Sequence, residues 1–352
     1  MNIKKNKFLL FIIFLMIFIF NGCATIVYKT IPLRNIAKAK GPYFVGTQNF
    51  QIVDASRKMW FSGDIKGSRK LSVKMWYPAD NIESLKKAPY LNKHKLIGSA
   101  ISKLFGVPEA LMNRAGGVKC NSWLNAVPAN GKFPIIIYSH GHQSIKIANT
   151  SQAEEMASNG YIVVSMDHSY DAALTILDED KIIYSISKLP ANDEEALQDS
   201  MILRVKNQLK IRTEDVSFVI DELKIMFEKD KRFSQVADFD NIGIFGHSFG
   251  GCTSIMSAYN DTRIDAVIGL DAYFLPLPKE IIKKDLNTPF VHLGQVSWGD
   301  SDNYEVMSEL GKSSNREFYH FAIEGSKHND YTDFSQFTKL TRKFGSGKIS
   351  PK

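Results

Sequence analysis

Short runs of almost uninterrupted apolar residues recur along the second half of the chain. They are "FPIIIYSHG" from Phe133, "YIVVSMDH" from Tyr161, "NIGIFGHS" from Asn241, "DAVIGLDA" from Asp265 and "PFVHLGQV" from Pro289. The runs are rich in Val, Ile and Phe, and most contain or abut a Gly or Pro. A strand with one wet face alternates apolar and polar residues; a short run that does not alternate is buried on both faces. Helix-like stretches lie between these runs. The longest extends from about Asp193 to Phe227, and "RTEDVSFVIDELKIM" within it has clear helical spacing. Strands that alternate with helices need right-handed crossovers, which give a mostly parallel central sheet with helices on both faces. The expected fold class is therefore α/β, as one domain from about residue 46 to 345 followed by a tail over 346–352. "KLSVKMWYPA" alternates and predicts a further strand that ends at Pro78.

A chain of 352 residues with this composition is long enough for one large domain or two small ones. Its net charge of +7 is mild, and the lysines are scattered. No Arg/Lys block with interleaved aromatics is present, which speaks against nucleic acid as a partner. There is no CxxC and no spaced Cys/His set, so no metal site is expected.

The N-terminus reads as a targeting signal. Lys4, Lys5 and Lys7 precede an unbroken apolar run from Phe8 to Phe20. That run falls short of the roughly 20 residues a membrane span needs. Asn21-Gly22-Cys23 then resembles a bacterial lipobox. The resemblance implies cleavage before Cys23 and a lipid on its thiol, with residues 1–23 as signal peptide and 24–45 as tether. The expected placement is that of an exported, membrane-anchored lipoprotein on the periplasmic or cell-surface side, with the membrane as a partner through Cys23. An uncleaved signal anchor is the alternative. Cys120 and Cys252 are the other cysteines, and Cys252 reads as a small core residue.

Between the strands, Leu96, Ile97, Ala100, Ile101, Leu104 and Phe105 recur at helical spacing. They predict an amphipathic helix over 95–105. Its apolar face packs on the sheet in the plainer reading; in the other it meets a lipid surface or covers a pocket.

The run "NIGIFGHS" leads into Gly246-His247-Ser248-Phe249-Gly250, a G-x-S-x-G, and then into the helix-like "CTSIMSAY". Strand, serine fenced by glycines, then helix is the nucleophile elbow of the α/β-hydrolase fold. Such a turn is so tight that side chains at the flanking positions clash, and glycine removes the clash. A serine hydroxyl needs a base, and the base needs an orienting acid, in chain order Ser, acid, His. The histidines after Ser248 are His292, His320 and His328. His292 and His320 fall inside strand-like runs, where side chains point into packing layers. His328 lies in "EGSKHND", just beyond a strand, where a loop can hold it over Ser248. The acid is Asp271, at the end of "DAVIGLDA", or else Asp300 or Asp302 after the next strand. One oxyanion donor is expected from the backbone N–H of Phe249. The second is expected from the N–H of His142, in "YSHGHQS" after an earlier strand.

These residues together resemble the secreted and type II intracellular platelet-activating factor acetylhydrolases. The sharpest matches are "GHSFGG", "LDAYFLPL" and "GSKHNDYTDF"; "YSHGHQS" and "ASNGYIVVSMDH" match more loosely. The resemblance implies Ser248 as nucleophile, Asp271 as acid and His328 as base, and it supports His142 as oxyanion donor. His142 itself stands where the family's animal members carry a small or aliphatic residue. The implied activity is cleavage of carboxylic esters, with short-acyl substrates such as the sn-2 ester of platelet-activating-factor-like or oxidised phospholipids. No cofactor is implied. The competing readings are a general carboxylesterase or thioesterase, and a non-catalytic surface lipoprotein that binds ligands on a hydrolase scaffold.

Overall fold

The computed structural model describes residues 33–106, 109–190, 195, 198–299 and 301–349. The described residues divide into two units: residues 33–35 with 89–119, and residues 36–88 with 120–349. The larger unit carries the sheet.

Its strands, in chain order, are β1 (Phe44–Lys58), β2 (Ser68–Ala79), β3 (Lys87–Pro89), β4 (Lys119–Leu124), β5 (Phe133–Ser139), β6 (Ile162–Asp167), β7 (Leu174–Ile176), β8 (Ile182–Tyr184), β9 (Ala237–His247), β10 (Ile264–Leu270), β11 (Phe290–Gln295) and β12 (Phe318–Ile323). The main sheet has the order β12-β11-β10-β9-β5-β6-β2-β1-β4-β3, and β7 and β8 form a separate hairpin. From β6 through β5, β9, β10 and β11 to β12 every neighbouring pair is parallel. β2 runs antiparallel to β6 and to β1. The apolar runs of the sequence are the parallel strands, and "KLSVKMWYPA" lies in β2. β1 carries no clean alternation because it mixes buried, half-buried and exposed positions along its length.

The smaller unit contains helices α1 (His94–Phe105) and α2 (Glu109–Ala115). α1 coincides with the amphipathic segment. It ends at Gly106, which takes a left-handed conformation. The two helices cross where α1 has a glycine: a Cβ on Gly98 would lie 3.2 Å from the Met112 Cβ.

The larger unit adds α3 (Thr150–Ser158), α4 (Asp199–Lys229), α5 (Phe249–Asn260), α6 (Lys279–Ile282) and α7 (Asp302–Ser313). One face of the sheet buries Val73, Ile137 and Val164 with Val216 and Ile220 of α4 and Ile255 of α5. The other buries Trp76, Tyr138 and Val163 with Ala153 and Ala157 of α3. This is the mostly parallel, helix-flanked sheet of an α/β-hydrolase. Residues 36–41 lie along α3: Lys40 N donates to Glu155 Oε2 and Gly41 N to Ser158 Oγ.

The membrane-anchored placement expected from the N-terminus is corrected by this fold. A thiol that carries a lipid must reach the surface, yet Cys120 and Cys252 are both buried free thiols. Burial also pushes both thiols well above their ordinary pKa, which leaves them inert. Among the described residues no helix is long and apolar enough to cross a membrane. Cys23 itself lies outside the described residues. Cys252 is the core residue its position beside the elbow predicts.

Candidate active site

The strand order explains where the site forms. β5 continues to β6 on one side, whereas β9 joins it on the other. Such a switch point opens a crevice outside the carboxyl ends of the strands. The segments leaving β5 and β9 there carry His140 to His142 and Ser248.

Ser248 sits between β9 and α5 with φ 56° and ψ −121°. This is a strained conformation for any residue other than glycine, worth on the order of 1–3 kcal/mol. The end of β10 and the segment after it hold it in place: Ser248 N donates to Leu270 O, and Tyr273 N donates to Ser248 O, both at 3.0 Å. Gly250 has to be glycine, since a Cβ there would stand 2.0 Å from Ser139 O. The segment after β5 comes equally close from the other side. A Cβ on Gly141 would lie 3.4 Å from the Ser248 Cβ.

Asp271 follows β10 in a positive-φ turn (φ 44°) and is fully buried. Its Oδ1 accepts from Gln295 N at 2.9 Å, and its Oδ2 accepts from Gln295 Nε2 at 2.7 Å. The same Oδ2 lies 2.6 Å from His328 Nδ1. A carboxylate accepts there, so Nδ1 carries the proton and Nε2 is left as the basic nitrogen. His328 is partly exposed, with a side-chain exposure of 34%. The Trp298 ring lies 5.2 Å from its ring. The structure thus brings Asp271 and His328 together. Asp302 stands exposed in the first turn of α7, and Asp300 lies outside the described residues.

His247, the variable residue of the motif, has a structural task. Its ring lies 4.5 Å from that of His328, and its Nε2–H donates to the His328 carbonyl at 3.0 Å. Burial, reinforced by the neighbouring His328, holds its pKa down at about 3, so it is neutral at neutral pH. His292 supports the loop that carries Asp271: its Nε2 accepts from Ala272 N at 3.1 Å, which leaves Nδ1–H to donate to His320 Nδ1 at 2.9 Å. His292 is fully buried in the packing layer that its position predicts, whereas His320 is only half-buried, on the edge strand β12.

The expected oxyanion donors lie on the segments that meet at Ser248. Phe249 is the first residue of α5, so no preceding turn of the helix supplies a carbonyl for its N–H. The His142 ring packs edge-on to the Phe249 ring at 6.4 Å. Behind both lies Arg212 of α4, fully buried. It pairs with Asp171 and donates to the His140 carbonyl, and it donates to Ser139 Oγ at 3.0 Å and Thr253 Oγ1 at 2.9 Å. Its guanidinium also stacks over the Phe249 ring at 4.9 Å. One side chain thus ties the β5 segment to the start of α5.

A second buried set extends this support. His168 Nδ1–H donates to Asp215 at 2.9 Å, and its Nε2 lies 3.0 Å from Ser139 Oγ. Arg69 pairs with Asp215 through both carboxylate oxygens. Burial works to raise the Asp215 pKa, but Arg69 and His168 outweigh it and hold the carboxyl well below the usual range. Burial and Arg212 lower His168 to about 4. Arg212, His247 and Gln295 were not singled out by the sequence. The signals available were weak: an arginine on the buried side of a helix, and a glutamine at the carboxyl end of an apolar strand.

Among the described residues no group of His, Cys, Asp and Glu is arranged to hold a metal ion. The arrangement suits nucleophilic displacement at a carbonyl carbon: a half-buried serine on a strained turn, an imidazole oriented by a buried carboxylate, and two backbone segments that converge beside the serine.

Comparison with known proteins agrees with this geometry. The profile of the family described as platelet-activating factor acetylhydrolase, isoform II, matches residues 29–350. Platelet-activating factor acetylhydrolase of Gallus gallus is 23% identical over 330 residues, covering 85% of this chain and 74% of that protein. The Canis lupus familiaris protein of the same name is 24% identical, covering 89% and 70%. A probable 1-alkyl-2-acetylglycerophosphocholine esterase of Arthroderma benhamiae is 25% identical, covering 58% and 50%. Among solved structures, a ferulic acid esterase from Streptomyces cinnamoneus superposes with a TM-score of 0.72 at 24% identity, covering 91% of this chain and 88% of that one, a likeness of fold. A profile match across nearly the whole sequence, on this fold, makes the chain a member of the platelet-activating factor acetylhydrolase isoform II family of α/β-hydrolase esterases.

Proposed function

We propose that this chain is a serine carboxylesterase that works through an acyl-enzyme on Ser248, within a hydrolase domain spanning residues 46–345. The observation that carries the reading is the 2.6 Å contact between His328 Nδ1 and the buried Asp271, on loops beside the strained Ser248. In this mechanism Ser248 Oγ attacks the ester carbonyl as His328 Nε2 takes its proton. Asp271 keeps the imidazole in the required tautomer and stabilises the imidazolium that forms. The N–H groups of Phe249 and His142 receive the oxyanion. Collapse of the tetrahedral intermediate expels the alcohol, which takes the proton back from His328. Water then attacks the acyl-enzyme by the same route in reverse, releasing the acid and freeing Ser248.

Family membership supports short-acyl esters as substrates, including the sn-2 ester of platelet-activating-factor-like or oxidised phospholipids. Two measurements test the reading. A fluorophosphonate probe is expected to label the wild type and not Ser248→Ala; equal labelling of both refutes the nucleophile. Turnover across soluble esters of increasing acyl length, beside phospholipids with acetyl or long sn-2 chains, is expected to fall as the acyl group lengthens. A preference for long chains refutes the substrate class.

A further inference from the structure

β12 is the outer strand of the main sheet, paired only with β11 among the described strands. Its sequence, "FYHFAI", has no proline, lysine or glutamate, the residues with which natural edge strands usually block further pairing. On one face Tyr319 is 52% exposed, Phe321 55% and Ile323 36%. Tyr319 stands beside Val291 and Phe321 beside Leu293, and Ile268 of β10 continues the first row. Val291 and Leu293 are themselves only half-buried. Leu293 packs against the buried cluster around Trp76 and Tyr138, and from there outward Ile268, Tyr319, Phe321 and Ile323 form an exposed apolar face that ends at an open backbone edge. Uncovered apolar surface of this kind marks an interaction site.

We propose that this edge pairs with the same strand of a second copy, antiparallel about a two-fold axis through His320. The backbone and the flanking charges select this register. Phe290 N donates to Glu317 O, so in a parallel ladder the backbone groups of residues 317, 319 and 321 turn toward β11. Those of Phe318, His320 and Ala322 turn outward. An axis at His320 sets His320 opposite its own copy and Phe318 opposite Ala322, so every outward group meets an outward partner. The same register sets Tyr319 opposite Phe321 twice, a cross-strand aromatic pair of the stabilising kind. Arg316, two residues before β12, and Glu324, one residue after it, are then brought to the same end of the ladder, again twice. Both residues are exposed, and the Arg316 Nε donates to Asn287 Oδ1. Moving the axis by one residue loses both charge pairs. An isologous contact of this type closes on itself, uses up the edge and joins two sheets into one.

Sedimentation velocity of the full chain across the micromolar range tests the proposal. The wild type is expected to sediment as a dimer. Phe321→Glu buries a charge at the pairing edge and is expected to yield a monomer with unchanged turnover of a soluble ester. Arg316→Glu and Glu324→Arg each set like charges opposite one another twice, and each is expected to weaken association roughly tenfold or more. The double variant exchanges the charges and is expected to regain wild-type association. A monomeric wild type overturns the proposal and leaves the face to a foreign strand or to residues outside the described span. So does a dimer that survives Phe321→Glu, or a double variant that stays as weak as the singles.

Discussion

Arg212 joins the two candidate oxyanion segments, so its removal tests whether the site depends on that joint. Arg212→Met keeps much of the apolar stem and deletes the charge. It leaves Asp171 buried without its cation, a change that typically costs about 3–5 kcal/mol. Asp171 Oδ2 already lacks a hydrogen-bond partner, so nothing nearby offsets the loss. For a domain this large, 1 kcal/mol moves Tm by about 2 °C, which predicts a fall of roughly 6–10 °C. The variant also frees the His140 carbonyl and Ser139, and with them the backbone that leads to His142. A displacement of about 1 Å at a reacting centre can lower turnover about 100-fold. The loss should appear in kcat with KM nearly unchanged, since the donor acts on the transition state. Thermal melts and initial rates on a soluble short-chain ester, with Asp171→Asn added in the same background, provide the assay. The second change removes the orphaned charge, so it should recover part of the Tm but not of kcat. An Arg212→Met protein whose Tm and kcat both match the wild type would refute the argument.

Ser248→Ala and His328→Ala should each abolish ester hydrolysis with little change in Tm. The double variant should be scarcely slower than either single, because the residues act as one unit; additive losses on steady-state assay would count against a shared mechanism. Asp271→Asn should lower kcat by about 10⁴, while the exposed Asp302→Asn leaves it unchanged; the reverse pattern moves the acid to α7. Stability should fall in acid. The folded pKa values of His168, His247 and His292 are held down at about 4, 3 and 3, well below the ordinary value near 6.5. Below about pH 6.5 the unfolded chain therefore takes up protons that the folded chain refuses. The stability present above that pH is lost as pH falls toward 4, at on the order of 1 kcal/mol per histidine per pH unit. Urea midpoints that stay flat between pH 7.5 and 5 would show that these histidines titrate normally.

The parallel strands were legible because a run buried on both faces needs no periodicity to be recognised. The elbow was legible because its glycines are set by sterics within a few residues. Asp271 was not separable from Asp300 and Asp302 by pattern alone, since each follows a strand. What distinguishes Asp271 is the pair of hydrogen bonds from Gln295, which depends on the β10–β11 register. Arg212 was hidden for a similar reason: its partners lie 41 to 73 positions away in the chain. β1 went unseen because a strand paired on both sides, but only partly covered, shows neither pattern cleanly. The open face of β12 runs against the simple expectation of a sheet covered throughout.

The segment that carries His328 is fastened from several directions. His247 holds its carbonyl, Asn149 donates to the Tyr331 carbonyl at 2.7 Å, and Asp330 accepts from both Lys327 N and Gly347 N. These partners come from widely separated stretches of the chain, so the loop has no single hinge about which to swing. As the proposed base, a His328 fixed in this way does not have to be assembled by the incoming ester. Progress curves should then start without a lag, pre-steady-state acylation should follow a single exponential, and solvent viscosity should slow turnover only through the encounter and departure of reactants.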